Sequence, residues 1–432
     1  MTTAPATPAR HAAPRLLDDD ALAMYMDCSI HELGRRAHAV TMRLHPETYR
    51  TYVVDRNINY SNYCTAKCIF CNFKADPPGM DTGRKDLPPG YVLSYAQIGA
   101  KIEGLLEIGG TQVLMQGGLV PAEMLPFEWY LDLFRFIKRE YPQIHIHALS
   151  PPEIFALHQV FNMSVRDVLL RLRDAGLDSI PGGGAEILAD RVRNRIAQGK
   201  TNTEEYLHVM REAHGIGMRT SITMMFGHIE TIEERIVHLR RIRDLQDETG
   251  GFTAFICWTF QPGDTPLGRV QPWEPAGGDH HGGEPGAVRA GVDLPDGGLA
   301  GGNAPSGTPA GGERPGAGKA SGGNARGRDN LPDGRRLKLA DAHEYLKMTA
   351  LARVYLDNIP NVQSSWVTQG VKIGQLALFY GANDMGSVMM EENVVSAAGT
   401  TYRLTEEEIR AAIRDAGFQP RKRNFYYELL EV

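Results

Sequence analysis

The chain has 432 residues, of which 42% are hydrophobic and 23% are charged, and this composition excludes a chain that is disordered throughout. Its 46 basic and 52 acidic side chains give a formal net charge of -6, so no overall positive charge attracts nucleic acid or anionic lipid. No apolar run approaches the ~18 residues of a membrane helix, and residues 1–15 lack the apolar stretch of a secretion signal. We therefore expect a cytoplasmic protein with no nucleic-acid partner and no membrane partner.

Two segments differ in composition from the rest of the chain. Residues 1–17 begin with a stretch rich in Ala, Pro and Thr, and we predict that they form a disordered tail. Residues 271–334 hold 19 of the 47 Gly and 8 of the 26 Pro, and such a segment buries too little apolar surface to offset the entropy of ordering. We therefore predict one domain over residues 18–432, interrupted by a disordered insertion over residues 271–334.

Short runs rich in β-branched and aromatic residues alternate with longer stretches of helical period in the rest of the chain. This order favours parallel strands joined by crossover helices. Eight runs are predicted as strands: 53–60, 111–116, 144–149, 177–180, 220–226, 252–260, 362–366 and 381–387. Their repetition predicts an α/β fold, a (βα)8 barrel of the TIM type, with a doubly wound sheet as the alternative.

A last helix is predicted over residues 406–415. Thr405 and Glu408 have the spacing of a capping box, and Gly417 follows the last helical residue. We expect the tail over residues 424–432 to pack on the barrel. Polar and glycine-rich residues follow five of the predicted strands, at the end of a barrel where active sites are built, and the candidate functional residues come from these loops.

Three of the five cysteines lie close together. Cys64, Cys68 and Cys71 form the pattern C-x3-C-x2-C directly after the first predicted strand. A structural zinc site would need a fourth Cys or a His nearby, and this loop contains neither. Three thiolates suit a 4Fe-4S cluster that leaves one iron open for S-adenosylmethionine (SAM). Cys28 and Cys257 have no paired spacing and are not expected to be ligands.

The cysteine pattern, with Phe70 before the third cysteine, resembles the signature of the radical SAM superfamily. The resemblance implies a 4Fe-4S cluster on the three cysteines and SAM on the open iron, with Phe70 against the adenine. It also implies SAM-binding roles for Gly117 and Gly118 after the second strand, for Glu186 after the fourth and for Gly227 after the fifth. Taken alone, these residues equally suit tight turns and helix N-termini.

Two further residues are candidates for cofactor binding. Arg193, beyond Glu186 in the sequence, has the charge to bind a carboxylate of SAM or of the substrate, and a solvated surface arginine is at least as good an interpretation. Ser150 follows the third strand and, with Glu153, is a candidate for binding ribose hydroxyl groups.

Longer stretches resemble a narrower family, the dehypoxanthine futalosine cyclases among the radical SAM enzymes. These stretches are residues 55–64, 144–154, 178–188 and 251–258. The resemblance implies removal of the ribose C4' hydrogen of dehypoxanthine futalosine and ring closure onto its benzoate, in menaquinone biosynthesis. The implied partners are this small-molecule substrate and an electron donor such as flavodoxin or ferredoxin.

Other functions stay open at this point. The sibling radical SAM enzymes are aminofutalosine synthase and the subunits of deazaflavin synthase. A hypothesis of another class is a non-catalytic iron-sulfur or zinc protein. For the catalytic base that the cyclase reaction requires, the candidates are His228 and His147, and each also suits a hydrogen-bonded histidine of the core.

Overall fold

The computed structural model describes residues 15–263, 265–269, 337–391, 393–397 and 402–430. The predicted tail is therefore described only from Arg15 onward, and the predicted insertion over residues 271–334 lies outside the described residues. Arg15 forms ion pairs with Asp247 and Asp357, so the chain is joined to the rest of the fold before the first helix begins.

Ten parallel strands form the central sheet of the described residues, and two short strands form a separate antiparallel pair. The strands are β1 (Tyr49–Val53), β2 (Asp55–Ile58), β3 (Lys67–Cys68), β4 (Gln112–Met115), β5 (His145–Ala148), β6 (Ser179–Ile180), β7 (Ala197–Gln198), β8 (Arg219–Phe226), β9 (Phe252–Thr259), β10 (Asn361–Gln363), β11 (Asp384–Ser387) and β12 (Gln419–Lys422).

The barrel closes at the interrupted strand β1–β2. Val54 alone separates β1 from β2, and β1 pairs with β11 on one side while β2 pairs with β4 on the other. Around the barrel the order is β1–β2, β4, β5, β6, β8, β9, β10 and β11. The predicted (βα)8 barrel is confirmed.

All eight predicted strands are present in the structure, and two parts of the sheet were missed. The first strand begins at Tyr49 and not at residue 53, and β12 adds a further strand beside β1. Neither segment has an apolar alternation that predicts a strand. Pairing decides their structure, because β1 has β11 on one edge and β12 on the other.

Helices cover the outside of the barrel. The helices of the described residues are α1 (Asp18–Asp27), α2 (Ile30–Leu44), α3 (Tyr95–Glu107), α4 (Phe127–Glu140), α5 (Pro151–Val160), α6 (Val165–Ala175), α7 (Asp190–Ile196), α8 (Thr203–Gly215), α9 (Ile232–Thr249), α10 (Ala342–Tyr355), α11 (Trp366–Gln369), α12 (Val371–Ala377), α13 (Asn393–Ser396) and α14 (Glu406–Asp415). None of them is long and apolar enough to cross a membrane.

Local sequence explains where several helices begin and which face they bury. The capping box of Thr405 and Glu408 starts α14, and the bounds predicted for this helix are confirmed. Asn202 and Glu205 start α8 in the same way. In α9 the apolar stripe that includes Leu239 is buried against the barrel, and each such side chain contributes ~1.5–3 kcal/mol.

The C-terminal tail fills the barrel near the beginning of the strands. Arg423 is buried and binds Asp384 of β11 through two nitrogens, at 2.5 and 2.9 Å. The ring of Phe425 stacks on His145 at 4.8 Å and lies 4.6 Å from the ring of His147. This end of the barrel is therefore occupied by the chain itself, and the loops that follow the strands form the other end.

Candidate functional site

The cysteine loop follows β2 and is held by a second segment of the chain. Cys68 lies in β3, which pairs antiparallel with β7 (Cys68 opposite Ala197), and the Ile69 amide donates to the Ile196 carbonyl at 2.9 Å. Lys74 lies beneath the loop, where its ammonium group donates to the carbonyls of Cys64 and Ala66. The loop is thus fixed by backbone pairing on one side and by a buried lysine on the other.

The three thiols of this loop are close enough to affect one another. Burial raises the pKa of the Cys68 thiol to about 12, Lys200 opposes this rise, and Cys64 and Cys71 add to it. Burial also raises the pKa of Cys64, against hydrogen bonds from the amides of Leu119 and Ala66. Burial therefore favours the protonated form of the Cys64 and Cys68 thiols, and a bound metal centre would displace these protons.

A charged pair lies beside the cysteine loop. The ammonium group of Lys200 lies 2.9 Å from the carboxylate of Glu186 and 5.3 Å from the centre of the Phe70 ring. Burial alone would lower the pKa of the Lys200 ammonium group, but the neighbouring Cys68 and Glu186 hold this pKa above its ordinary value. Glu186 is buried and has φ +41°, which is rare for a residue with a side chain and typical of functional sites.

The Gly117–Gly118 turn after β4 touches the first cysteine. A methyl group on Gly118 would lie 2.2 Å from the Tyr63 carbonyl oxygen and 2.6 Å from the Cys64 Cβ, so only glycine fits here. The next amide, that of Leu119, donates to the Cys64 sulfur at 3.3 Å. Backbone groups of the turn therefore lie beside the cysteine loop, where a bound cofactor can meet them.

The loop after β8 is built around a buried carboxylate. Glu230 accepts hydrogen bonds from the Gly227 and His228 amides and forms an ion pair with Arg235. Burial alone would raise the pKa of the Glu230 carboxyl group, but the neighbouring His228 and Arg235 hold this pKa well below its usual range. Gly227 has φ +87°, and its Cα faces Ala340 closely. Glu230 thus fixes the course of the backbone at the end of β8.

Comparisons with known proteins identify the family. The family model described as the Radical SAM superfamily matches residues 58–242, and the one described as the CofH/MqnC C-terminal region matches residues 334–432. A protein of Halalkalibacterium halodurans named cyclic dehypoxanthine futalosine synthase is 38% identical over 97% of this chain and 92% of its own length. The chain belongs to the radical SAM superfamily.

Other relatives carry two different names. A cyclic dehypoxanthine futalosine synthase of Streptomyces coelicolor is 37% identical over 98% of this chain and 87% of its own length. A protein of Methanopyrus kandleri named 5-amino-6-(D-ribitylamino)uracil--L-tyrosine 4-hydroxyphenyl transferase is 34% identical over 93% of this chain and 90% of its own length. The solved structure of methylornithine synthase (PylB) shares the fold, with a TM-score of 0.62, 16% identity and 94% of each chain covered.

The chain is therefore a radical SAM enzyme, and the superfamily implies a 4Fe-4S cluster and SAM. Within the described ranges, no three or more His, Cys, Asp or Glu side chains are arranged to hold a single metal ion. A four-iron cluster is larger than one ion, so its ligands stand farther apart, and three thiols on one loop fit it. Cys257 lies elsewhere, in β9, where its sulfur contacts the Thr349 hydroxyl at 3.3 Å.

The structure places the predicted cofactor residues in two groups. Phe70, Gly117, Gly118, Glu186 and Gly227 lie in the loops that follow the strands; Phe70 is part of the cysteine loop, and the next three lie beside it. Ser150 and Arg193 are engaged with the protein itself. The Ser150 hydroxyl donates to Glu153 at 2.5 Å, at the start of α5.

Arg193 lies beneath the site, where its guanidinium group is buried. It makes five hydrogen bonds, to the carbonyls of Gly184 and Ala185, twice to the carbonyl of Thr201, and to the Thr201 hydroxyl. A guanidinium has five N–H groups, so the described contacts use all of them. Arg193 supports the loop that carries Glu186, and its predicted role as a cofactor ligand stays a prediction.

The two predicted base candidates are both buried. The Nδ1 atom of His228 lies 2.8 Å from Glu230, and its Nε2 lies 3.1 Å from the Met225 carbonyl oxygen. His147 lies in β5 with its Nδ1 2.7 Å from the Ser179 hydroxyl, and burial holds its pKa well below the usual range. The catalytic role of each histidine stays a prediction.

Lys200 is a site residue that the sequence did not reveal. It follows Gly199 in a short polar segment between two helices, and nothing in that segment predicts a functional lysine. Its place beside the cysteines depends on the pairing of β7 with β3, which joins segments more than a hundred residues apart. The sequence gives only a weak indication of this role, a lysine that directly follows a glycine in the segment after Glu186.

Proposed function

We propose that this chain is the radical SAM cyclase that converts dehypoxanthine futalosine to cyclic dehypoxanthinyl futalosine, in the futalosine route to menaquinone. The observation that carries the proposal is the 38% identity, over 97% of this chain, with the Halalkalibacterium halodurans protein of that activity's name. The arrangement of Cys64, Glu186 and Lys200 at one end of the barrel supports it, because cleavage of SAM needs ligands for the cluster and for the charged groups of SAM side by side.

Cys64, Cys68 and Cys71 would hold the 4Fe-4S cluster and leave one iron open to SAM. When bound, the cluster supplies the electron that cleaves SAM to methionine and a 5'-deoxyadenosyl radical. In the cytoplasm a reduced flavodoxin or ferredoxin is the proposed source of that electron.

The residues beside the cysteines suit the two charges of the methionine part of SAM. The Lys200 ammonium group would bind the carboxylate, and the Glu186 carboxylate would bind the amino group, each with a charge opposite to that of its ligand. The backbone of Gly117 and Gly118 would meet the same end of SAM. Phe70 and the backbone at Gly227 would bind the adenine, as the resemblance implies.

The reaction on the substrate removes two hydrogens in separate steps. The hydrogen on ribose C4' leaves with the 5'-deoxyadenosyl group as 5'-deoxyadenosine, and the carbon that loses it bonds to the benzoate ring. The ring then loses one proton, and one electron passes to an electron acceptor such as oxidised flavodoxin or ferredoxin, so that the ring becomes aromatic again. His228, in the loop after β8, is the proposed acceptor of this proton, and His147, which Phe425 covers near the other end of the barrel, is the second candidate.

The decisive experiment is an anaerobic incubation of the cluster-loaded protein with SAM, dithionite and dehypoxanthine futalosine, followed by mass spectrometry. We expect a product lighter than the substrate by two hydrogens, formed together with 5'-deoxyadenosine. The Cys68→Ala variant should form neither compound, and the Cys257→Ala variant should form both, because Cys257 lies in β9 and outside the cysteine loop. Cleavage of SAM with unchanged substrate would contradict the proposal.

A second candidate is the transfer reaction named for the Methanopyrus kandleri relative, since that protein is 34% identical over 93% of this chain. The same assay tests it, with L-tyrosine and 5-amino-6-(D-ribitylamino)uracil in place of dehypoxanthine futalosine. Formation of a 4-hydroxyphenyl adduct would favour the transferase. No adduct is expected if the chain is the cyclase.

A further inference from the structure

Glu153 is a buried carboxylate that is bound only by neutral donors. One of its oxygens accepts from the Ser150 amide at 2.7 Å and from the Ser150 hydroxyl at 2.5 Å. The other accepts from the Tyr60 hydroxyl at 2.5 Å and from the Gly117 amide at 2.9 Å. The side chain therefore joins the end of β2, the turn after β4 and the start of α5. These four donors offset the cost of burying the carboxylate.

The turn held by Glu153 leads directly to the first cysteine. Gly117 packs on the Tyr60 ring so closely that a methyl group there would lie 2.5 Å from the ring carbons. Two residues later the Leu119 amide donates to the Cys64 sulfur at 3.3 Å, and the Leu119 carbonyl accepts from the Thr65 amide at 3.0 Å. Glu153 thus fixes one end of a short segment, and the other end donates a hydrogen bond to a cysteine sulfur.

We infer that Glu153 and Tyr60 are positioning residues that set the reduction potential of the iron-sulfur cluster, by aiming the Leu119 amide at the Cys64 sulfur. This inference rests on the proposed cluster at the three cysteines. A reduced cluster carries one more negative charge than an oxidised one, so an N–H donor to a ligand sulfur stabilises the reduced form. A looser turn weakens this hydrogen bond and makes the cluster harder to reduce.

Two variants change the network and keep its volume. In Tyr60→Phe the ring that packs on Trp129 and Tyr130 stays, and only the hydroxyl donor is lost. In Glu153→Gln one oxygen becomes an NH2 group. Because both oxygens of Glu153 accept hydrogen bonds, this NH2 group faces donors in either orientation of the amide, and we expect the larger effect in this variant. Glu205→Gln is the matched control, because Glu205 bonds to Asn202 at the start of α8 by the same motif.

The test is an EPR-monitored redox titration of cluster-loaded protein without substrate. At a fixed solution potential, the ratio of reduced to oxidised cluster should fall about tenfold in Glu153→Gln, equal to about 59 mV for one electron. Tyr60→Phe should shift the potential in the same direction by less, and Glu205→Gln should leave it unchanged. Iron content is measured on each sample so that only loaded protein is compared.

The outcomes separate this inference from the proposed function. Unchanged potentials in both variants, at full iron content, would overturn the inference and leave the proposed cluster intact. If Glu153→Gln fails to fold, the Tyr60→Phe result decides alone. A wild-type protein that binds no four-iron cluster would instead overturn the proposed function, on which the inference rests.

Discussion

At the scale of single residues, Lys200 is the charge that connects the cysteine loop to the rest of the site. Its side chain is only 20% exposed and pairs with the nearly fully buried Glu186. A buried ion pair is a weak source of stability, since the cost of removing both charges from water offsets much of their attraction. We therefore propose that the pair serves a ligand that carries both charges, as the methionine part of SAM does.

We expect Lys200→Met to weaken SAM binding with little effect on cluster content. Without Lys200 the carboxylate of SAM would lose its charged partner, and loss of one partner of a buried charge pair costs about 2 kcal/mol or more. This cost corresponds to roughly a thirtyfold rise in the Kd for SAM. Equilibrium binding of SAM to the cluster-loaded protein measures the change. Lys67→Met is the control, because Lys67 is exposed on the same loop. Equal SAM affinities of Lys200→Met and wild type would refute the role given to Lys200.

At the scale of elements, the pairing of β3 with β7 places a second segment of the chain on the cysteine loop. Gly199 follows β7 with φ +81°, and a methyl group there would lie 3.4 Å from the Ala66 Cα. The turn at Gly199 brings Lys200 back toward the thiols. The two-residue strands β3 and β7 therefore bring Lys200 and the cysteine loop together.

We predict that Gly199→Ala speeds the loss of iron from the loaded protein. A side chain in the left-handed region costs about 1–2 kcal/mol, and at Gly199 the chain can relieve this strain by opening the β3–β7 pair. The measurement is the rate at which a chelator removes iron. Gly217→Ala is the matched control, since Gly217 has φ +83° and nothing within 4 Å of the added methyl group. Both variants should lose similar stability, and equal rates of iron loss would contradict the prediction.

The sequence predicted the elements that hydrophobic periodicity specifies and missed those that pairing specifies. The eight barrel strands and the helix after Thr405 follow from local patterns of apolar residues and capping. The strand β12 and the pair β3–β7 have no such pattern. The same limit applies to the site: the three cysteines are visible by spacing, whereas Lys200 and the bonding of Glu153 to Gly117 depend on contacts between distant segments.

At the scale of the whole molecule, the barrel has one end filled by its own tail and the other end formed by the loops that carry the site. Near the filled end, Phe425 covers His145 and His147. Other histidines are enclosed where helices pack on the barrel, among them His214 of α8 and His238 of α9. Enclosure of these rings makes the stability of the entire fold depend on their staying neutral.

This enclosure predicts that the protein loses stability as the pH falls below about 6.5. Burial lowers the pKa of His145 to about 4 and those of His214 and His238 to about 3, from an ordinary value of 6.5. Between these limits the unfolded chain binds more protons than the folded chain, so the free energy of unfolding falls as the pH falls. Each neutral histidine contributes about 1.4 kcal/mol per pH unit, and this stability is fully present above 6.5.

Urea unfolding of the protein at several pH values between about 7 and 5 measures this slope, in a range where ordinary carboxylates stay mostly ionised. In His214→Gln the slope should decrease, by up to about 1.4 kcal/mol per pH unit at the acid end of this range, because one histidine that must stay neutral is removed. His31→Gln is the control, since His31 is an exposed residue of α2. Its ring has one long contact, 3.4 Å from the Tyr380 hydroxyl. If the slopes of His214→Gln and wild type coincide, His214 is not kept neutral by the fold, and the dependence comes from the other buried histidines, such as His238, His145 and His147.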